Sequence, residues 1–155
     1  MKNILKLIMM LSVVALASCN SDDDNKTWDY DTPTLIKCNT SAWTCAEGVI
    51  PFGSMVIYMS DVSLPAGTTA APGDLIAAFV GNECRGVYTP AVNEEDNIDI
   101  VLTIFEKESD VEGATKLTIR YYSTKAKGYY ESVPITYSSY LTLGQIDSPY
   151  KPTWQ

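Results

Sequence analysis

Residues 73–88 constrain this chain more than any other stretch. An apolar run, Leu75-Ile76-Ala77-Ala78-Phe79-Val80, stops at Gly81-Asn82, and a second run opens at Glu83. Gly takes a positive φ at no steric cost and Asn tolerates the left-handed region. The pair therefore predicts a type I′ or II′ hairpin, whose twist matches the strands it joins. Elsewhere the apolar period is two. Met55, Ile57 and Met59 alternate, as do Ile98, Ile100, Leu102 and Ile104, and Lys116 to Tyr121 sets polar strictly against apolar. Tyr129, Val133, Ile135 and Tyr137 share one parity, but Pro134 within the run predicts an edge strand or a break into two short ones. Weaker strands are expected near Leu35 to Cys38 and Trp43 to Cys45, for about seven or eight strands in all. No segment carries a helical stripe. Short alternating strands divided by Gly- and Pro-bearing loops predict an all-β chain, an antiparallel β-sandwich of immunoglobulin-like form.

The N-terminus reads differently. Lys2 and Lys6 precede an apolar run, Leu7 to Ala17, too short to span a bilayer as a mature helix but fitting a secretory signal. Leu16-Ala17-Ser18-Cys19 resembles the bacterial lipobox. That resemblance implies cleavage before Cys19, acylation of Cys19, and durable anchoring to a membrane through more than one acyl chain. The following Asn20-Ser21-Asp22-Asp23-Asp24-Asn25 is similar to the acidic export signal of Bacteroidota surface lipoproteins, which implies display on the outer face of the outer membrane. Read as composition alone, the same run is a solvated acidic linker. The expected organisation is a signal peptide (1–18), a lipidated Cys with a flexible tether (19–34) and one sandwich domain (35–155). Removing residues 1–18 takes away Lys2 and Lys6. Eleven basic residues become 9 against 19 acidic ones, a net of −10. Such a surface repels nucleic acid and suits neutral glycans, protein partners or divalent cations.

The central hairpin carries a further resemblance. Gly73-Asp74-Leu75-Ile76-Ala77-Ala78-Phe79-Val80, the turn, and Glu83-Cys84-Arg85-Gly86-Val87 look like a module that recurs in large Bacteroidota surface and secreted proteins. There a Met-bearing strand precedes it, and strands like Leu102-Thr103-Ile104-Phe105 and Tyr121-Tyr122-Ser123 follow. The match runs from about Ser54 to Trp154. It implies a β-sandwich of unassigned biochemical role.

Candidate chemistry is sparse. The chain has no His, which removes the usual general base and the commonest transition-metal ligand, so an enzyme is not expected. Carboxylates gather at Glu94, Glu95, Asp96 and Asp99, and again at Glu106, Glu108, Asp110 and Glu112. The first group, with Asn97, collects hard oxygen donors that can hold Ca²⁺, although without EF-hand spacing; no other cofactor is implied. With Cys19 assigned to lipid, Cys38 and Cys45 can pair across a short gap, and Cys84 reads as a buried, inert thiol. Arg85, in a strand of an acidic chain, needs a partner if buried, and Asp74 or Glu83 are the nearby candidates.

Ten Tyr and three Trp stand against three Phe, so aromatic surface with polar handles is plentiful. Sugar rings stack on such faces, and the same residues favour protein interfaces. Tyr121-Tyr122 and Tyr129-Tyr130 flank a turn, and alternation allows two of the four to be exposed. Tyr122, Tyr130, Trp154 and Tyr88 are the candidate ligand residues. Two functions follow: a non-catalytic binding module for glycans or another surface macromolecule, or a structural, adhesive protein that assembles with outer-membrane components.

Overall fold

The computed structural model describes residues 32–38, 43, 45, 53–90 and 99–155. Among them lie nine strands: β1 (Ile36–Lys37), β2 (Ser54–Met59), β3 (Leu75–Val80), β4 (Glu83–Tyr88), β5 (Ile100–Phe105), β6 (Lys116–Ser123), β7 (Gly128–Glu131), β8 (Ile135–Thr136) and β9 (Thr142–Leu143). A single 3-10 turn spans Asp61–Ser63. The chain is all-β, as the period of two requires. One sheet runs β1-β7-β6-β3-β4, with β8 also on β6, and the other runs β5-β2-β9. Pairing is antiparallel except between β2 and β9.

The two sheets bury a common apolar layer. Met55, Ile57 and Met59 of β2 and Ile100, Leu102 and Ile104 of β5 meet Ile76 and Ala78 of β3 and Leu117, Ile119 and Tyr121 of β6. Burial of each large aliphatic side chain stabilises by about 1.5–3 kcal/mol, so this layer is the main driving force. Alternation holds along β2 and β5 but fails at the end of β6, where Tyr121, Tyr122 and Ser123 are all buried. Tyr122 faces outward, yet Trp43 covers it, with ring centroids 5.9 Å apart. That outward cluster also takes in Cys38, Tyr129, Ile36 and Leu75.

The hairpin forms at Gly81-Asn82, with Val80 opposite Glu83. Only Gly81 of the pair has a positive φ, +59°, which makes the turn type II′. The register then slips: Ala78 faces Gly86 and Phe79 faces Cys84, leaving Arg85 as the extra residue of a β-bulge. A Cβ on Gly86 would collide with the Thr103 carbonyl, so glycine lets β4 close against β5 at the side of the sandwich. Pro134 breaks its run, as expected, into β7 and β8. The break also changes parity. Tyr129 lies in the outward cluster while Tyr137 enters the main core, so the two do not share a face.

Candidate functional site at one end of the sandwich

The bulge determines where Arg85 points. Its guanidinium, 5% exposed, forks onto Asp110: Nη1 donates to Oδ2 at 2.8 Å and Nη2 to Oδ1 at 2.9 Å. Nη1 also donates to the Phe105 carbonyl at 3.3 Å. Glu83 lies 3.4 Å from Nε, an ion pair without hydrogen-bond geometry. Asp110 is thus the main partner, and Asp74 is not a partner at all. Asp74 is fully buried and accepts from Tyr121 Oη at 2.6 Å, from Thr124 N and Oγ1 at 2.8 Å, and from Ala71 N at 2.9 Å. It joins the Pro72-Gly73 loop to the turn after β6. Burial, and then the bond to Asp74, push the Tyr121 hydroxyl well above its ordinary pKa.

Because Arg85 grips Asp110, and Asp110 also accepts from Lys107 N at 2.7 Å, the loop after β5 is held at one end of the sandwich. The loop leading to β9 lies against it. Ser138 Oγ donates to Glu112 Oε1 at 2.5 Å and Ser139 N to Oε2 at 3.0 Å; these two bonds pull the exposed Glu112 carboxyl below its ordinary pKa. Ser139 Oγ donates to Glu106, as does Tyr137 Oη at 3.4 Å. Gly53 makes room for this: a Cβ there would lie 2.7 Å from Glu106 Oε2 and 3.4 Å from Tyr140 Cζ.

Tyr140 closes the group. The residue is 80% exposed and its φ is +61°, a conformation that costs a non-glycine residue of order 1–3 kcal/mol. The surroundings hold it there, with Tyr140 N donating to Ser54 O at 2.9 Å. An exposed ring, two carboxylates and two serine hydroxyls therefore share one end of the molecule. Each carboxylate keeps acceptor sites that its serine partners do not occupy.

The four aromatic residues expected to bind ligand do not converge. Tyr122 is buried beneath Trp43 on the outward face of the large sheet, while Tyr130 stacks on Tyr121 at 6.4 Å and packs against the main core. The pairing Tyr121↔Tyr130 and Tyr122↔Tyr129 puts one pair on each face and leaves none of the four exposed. Trp154 is 7% exposed and its indole donates to Ser63 O at 2.9 Å, a core role. Tyr88 spends its hydroxyl on Asp99 O, at 2.8 Å.

The cysteines also differ from expectation. Cys45 pairs with Cys84, not with Cys38, so Cys84 is neither a thiol nor buried. Cys84 faces Phe79, whose ring Trp43 meets edge-on at 5.4 Å. Cys38 sits buried in the outward cluster. Cys19, Glu94, Glu95 and Asp96 lie outside the described residues. Asp99, the described member of that acidic group, is exposed, and among the described residues no three Asp, Glu, Cys or His side chains gather to hold a metal ion. No described helix is long and apolar enough to cross a membrane. Comparison with protein-family models, with curated proteins and with solved structures finds no match.

Proposed function

We propose that this chain is a non-catalytic binding module, a lipoprotein anchored through Cys19 and displayed on the outer membrane, that takes glycans at the Tyr140 end of its sandwich. The observation that carries this reading is Tyr140: an aromatic residue 80% exposed, in a strained backbone, beside Glu106, Glu112, Ser138 and Ser139. Strain of this kind persists where the surroundings enforce it and is concentrated at functional sites. The ring offers a face for a sugar, and the carboxylates offer acceptors for its hydroxyls. The carboxylates and the net charge of −8 favour neutral sugars over anionic ones. Anchoring and display rest on Leu16 to Cys19 and the acidic run after them.

The immunoglobulin-like form of the sandwich belongs to the same proposal. It is supported by β7-β6-β3 adjoining in one sheet while β2 pairs β5 in the other, the places of the seventh, sixth, third, second and fifth strands in that fold.

A glycan array probed with the mature chain, with Ca²⁺ and then with chelator, tests the site. Selective binding should fall about tenfold or more in Tyr140→Ala, a loss of about 1.4 kcal/mol, with thermal stability retained. No binding by a folded sample, or binding indifferent to Tyr140, would overturn the glycan reading.

One observation favours the adhesive reading instead. The outward face of the small sheet carries Val56, Tyr58, Val101 and Phe105, with Val101 and Phe105 exposed. If glycans fail, Val101→Lys should impair assembly with outer-membrane components while Tyr140→Ala leaves it intact.

A further inference from the structure

Charge is segregated along the length of the sandwich. The loop after β5 gathers Glu106, Glu108, Asp110 and Glu112 at the Tyr140 end, with Glu83 beside it. β6 begins at that end, where Tyr137 N donates to Thr115 O, and its eight residues carry the chain roughly 25 Å to the opposite end. There the turn into β7 exposes Lys125 and Lys127. Lys37 of β1, also exposed, pairs with Gly128 and its Nζ donates to Ala126 O at 2.8 Å. Thr124 N and Oγ1 fix the turn by donating to Asp74 at 2.8 Å, and Lys127 N donates to Ser123 O at 2.9 Å. Lys127 has a φ of +52°, which turns usually give to Gly or Asn, so a lysine is kept there against a backbone cost. Among the described residues, no carboxylate lies within ion-pairing distance of these three ammonium groups. Asp74 is buried beneath the turn and spent on the bonds given above. The other acidic residues described at this end, Asp61, Asp99 and Asp147, flank β2, β5 and β9 of the small sheet.

We infer that Lys37, Lys125 and Lys127 form a membrane-facing end that rests on anionic phosphate headgroups and turns the Tyr140 end outward. This builds on the anchoring through Cys19 proposed above. Fifteen residues separate Cys19 from Leu35, and a chain of that length spans at most about 50 Å, so an anchored domain stays beside the bilayer. Its own charges then choose which end faces the surface. At physiological salt the Debye length is about 8 Å. Lysines in contact with headgroups are therefore felt, whereas carboxylates roughly 25 Å away are screened. The net charge of −8 opposes approach from a distance but does not decide the orientation at contact. An ammonium is a compact point charge that suits a phosphate from many directions. Each lysine near an anionic surface shifts the balance of orientations about fivefold, or about 1 kcal/mol, and three together shift it about a hundredfold.

Lysine acetylation read by peptide mass spectrometry tests this, with the lysines as their own reporters. The mature chain, carrying an N-terminal histidine tag, is held by a nickel-chelating lipid on vesicles of phosphatidylcholine alone or with phosphatidylglycerol added. On the anionic vesicles, labelling of Lys37, Lys125 and Lys127 should fall about fivefold or more relative to the neutral ones. Lys107 and Lys116, at the Tyr140 end, should keep their reactivity. Lys125→Glu/Lys127→Glu should restore the labelling of Lys37 on the anionic surface. Equal labelling on the two surfaces would leave these lysines to an acidic protein partner and overturn the inference. Protection shared by Lys107 and Lys116, or protection of Lys37 that survives the double substitution, would overturn it as well. The tag supplies the tether, so the result does not depend on acylation of Cys19, which flotation of the native chain with vesicles checks separately.

Discussion

Asp110→Ala isolates the interaction that positions the candidate site. The Arg85 and Asp110 side chains are each 5% exposed and meet through two bonds of 2.8 and 2.9 Å. Removing one member of a buried pair costs about 3–5 kcal/mol, because the remaining charge is left without compensation. Here Glu83 at 3.4 Å and the Phe105 carbonyl at 3.3 Å retain part of the interaction with Arg85, which argues for the lower end, about 3 kcal/mol. For a domain of this size that corresponds to a fall in Tm of roughly 12 °C. Urea unfolding followed by circular dichroism measures it, with an unchanged m-value required for the comparison. Two controls locate the cause. Lys107→Ala breaks a pair with Glu83 whose members are 49% and 41% exposed, and should cost under about 1 kcal/mol. Arg85→Met/Asp110→Leu removes both charges together and should recover most of the loss. A cost below about 1 kcal/mol for Asp110→Ala would refute the argument, since it would mean the pair is hydrated as a surface pair is.

Three further outcomes follow from the geometry. Gly86→Ala forces a methyl into the Thr103 carbonyl and should destabilise by about 1–3 kcal/mol or more in the same unfolding assay. Tyr140→Gly relieves the left-handed strain and should leave stability equal or higher, by up to about 1 kcal/mol, while abolishing glycan binding on the array. The Glu112 carboxyl is held below its ordinary value of 4.5, so its contribution is fully present above pH 4.5 and is lost as the pH falls through the folded-state value. Glu112→Gln should therefore lower the Tm slightly above about pH 4.5 and flatten the acid limb below it, where the two proteins converge.

The strands and the hairpin were legible in the residues because alternation and turn chemistry are local. Met55, Ile57 and Met59 can share a face only in an extended chain, and Gly81-Asn82 suits only a few turns. The site was not legible, because its parts are far apart in sequence and nothing local marks them as neighbours. Glu106 and Ser139 are 33 residues apart and Arg85 and Asp110 are 25 apart. Tyrosine counting found aromatic surface, but the pairing of β6 with β7 sends one pair of rings into the core and the other beneath Trp43.

What the sequence determined by itself is therefore the period, the principal turns and the absence of histidine chemistry. Which cysteine meets which, which carboxylate Arg85 holds, and which tyrosine is left exposed were decided by the tertiary structure. A bulge at one residue re-aims Arg85, and the Trp43 ring helps turn an outward strand face into a second buried one. Both depend on how the sheets close, and periodicity along a strand contains no information about that.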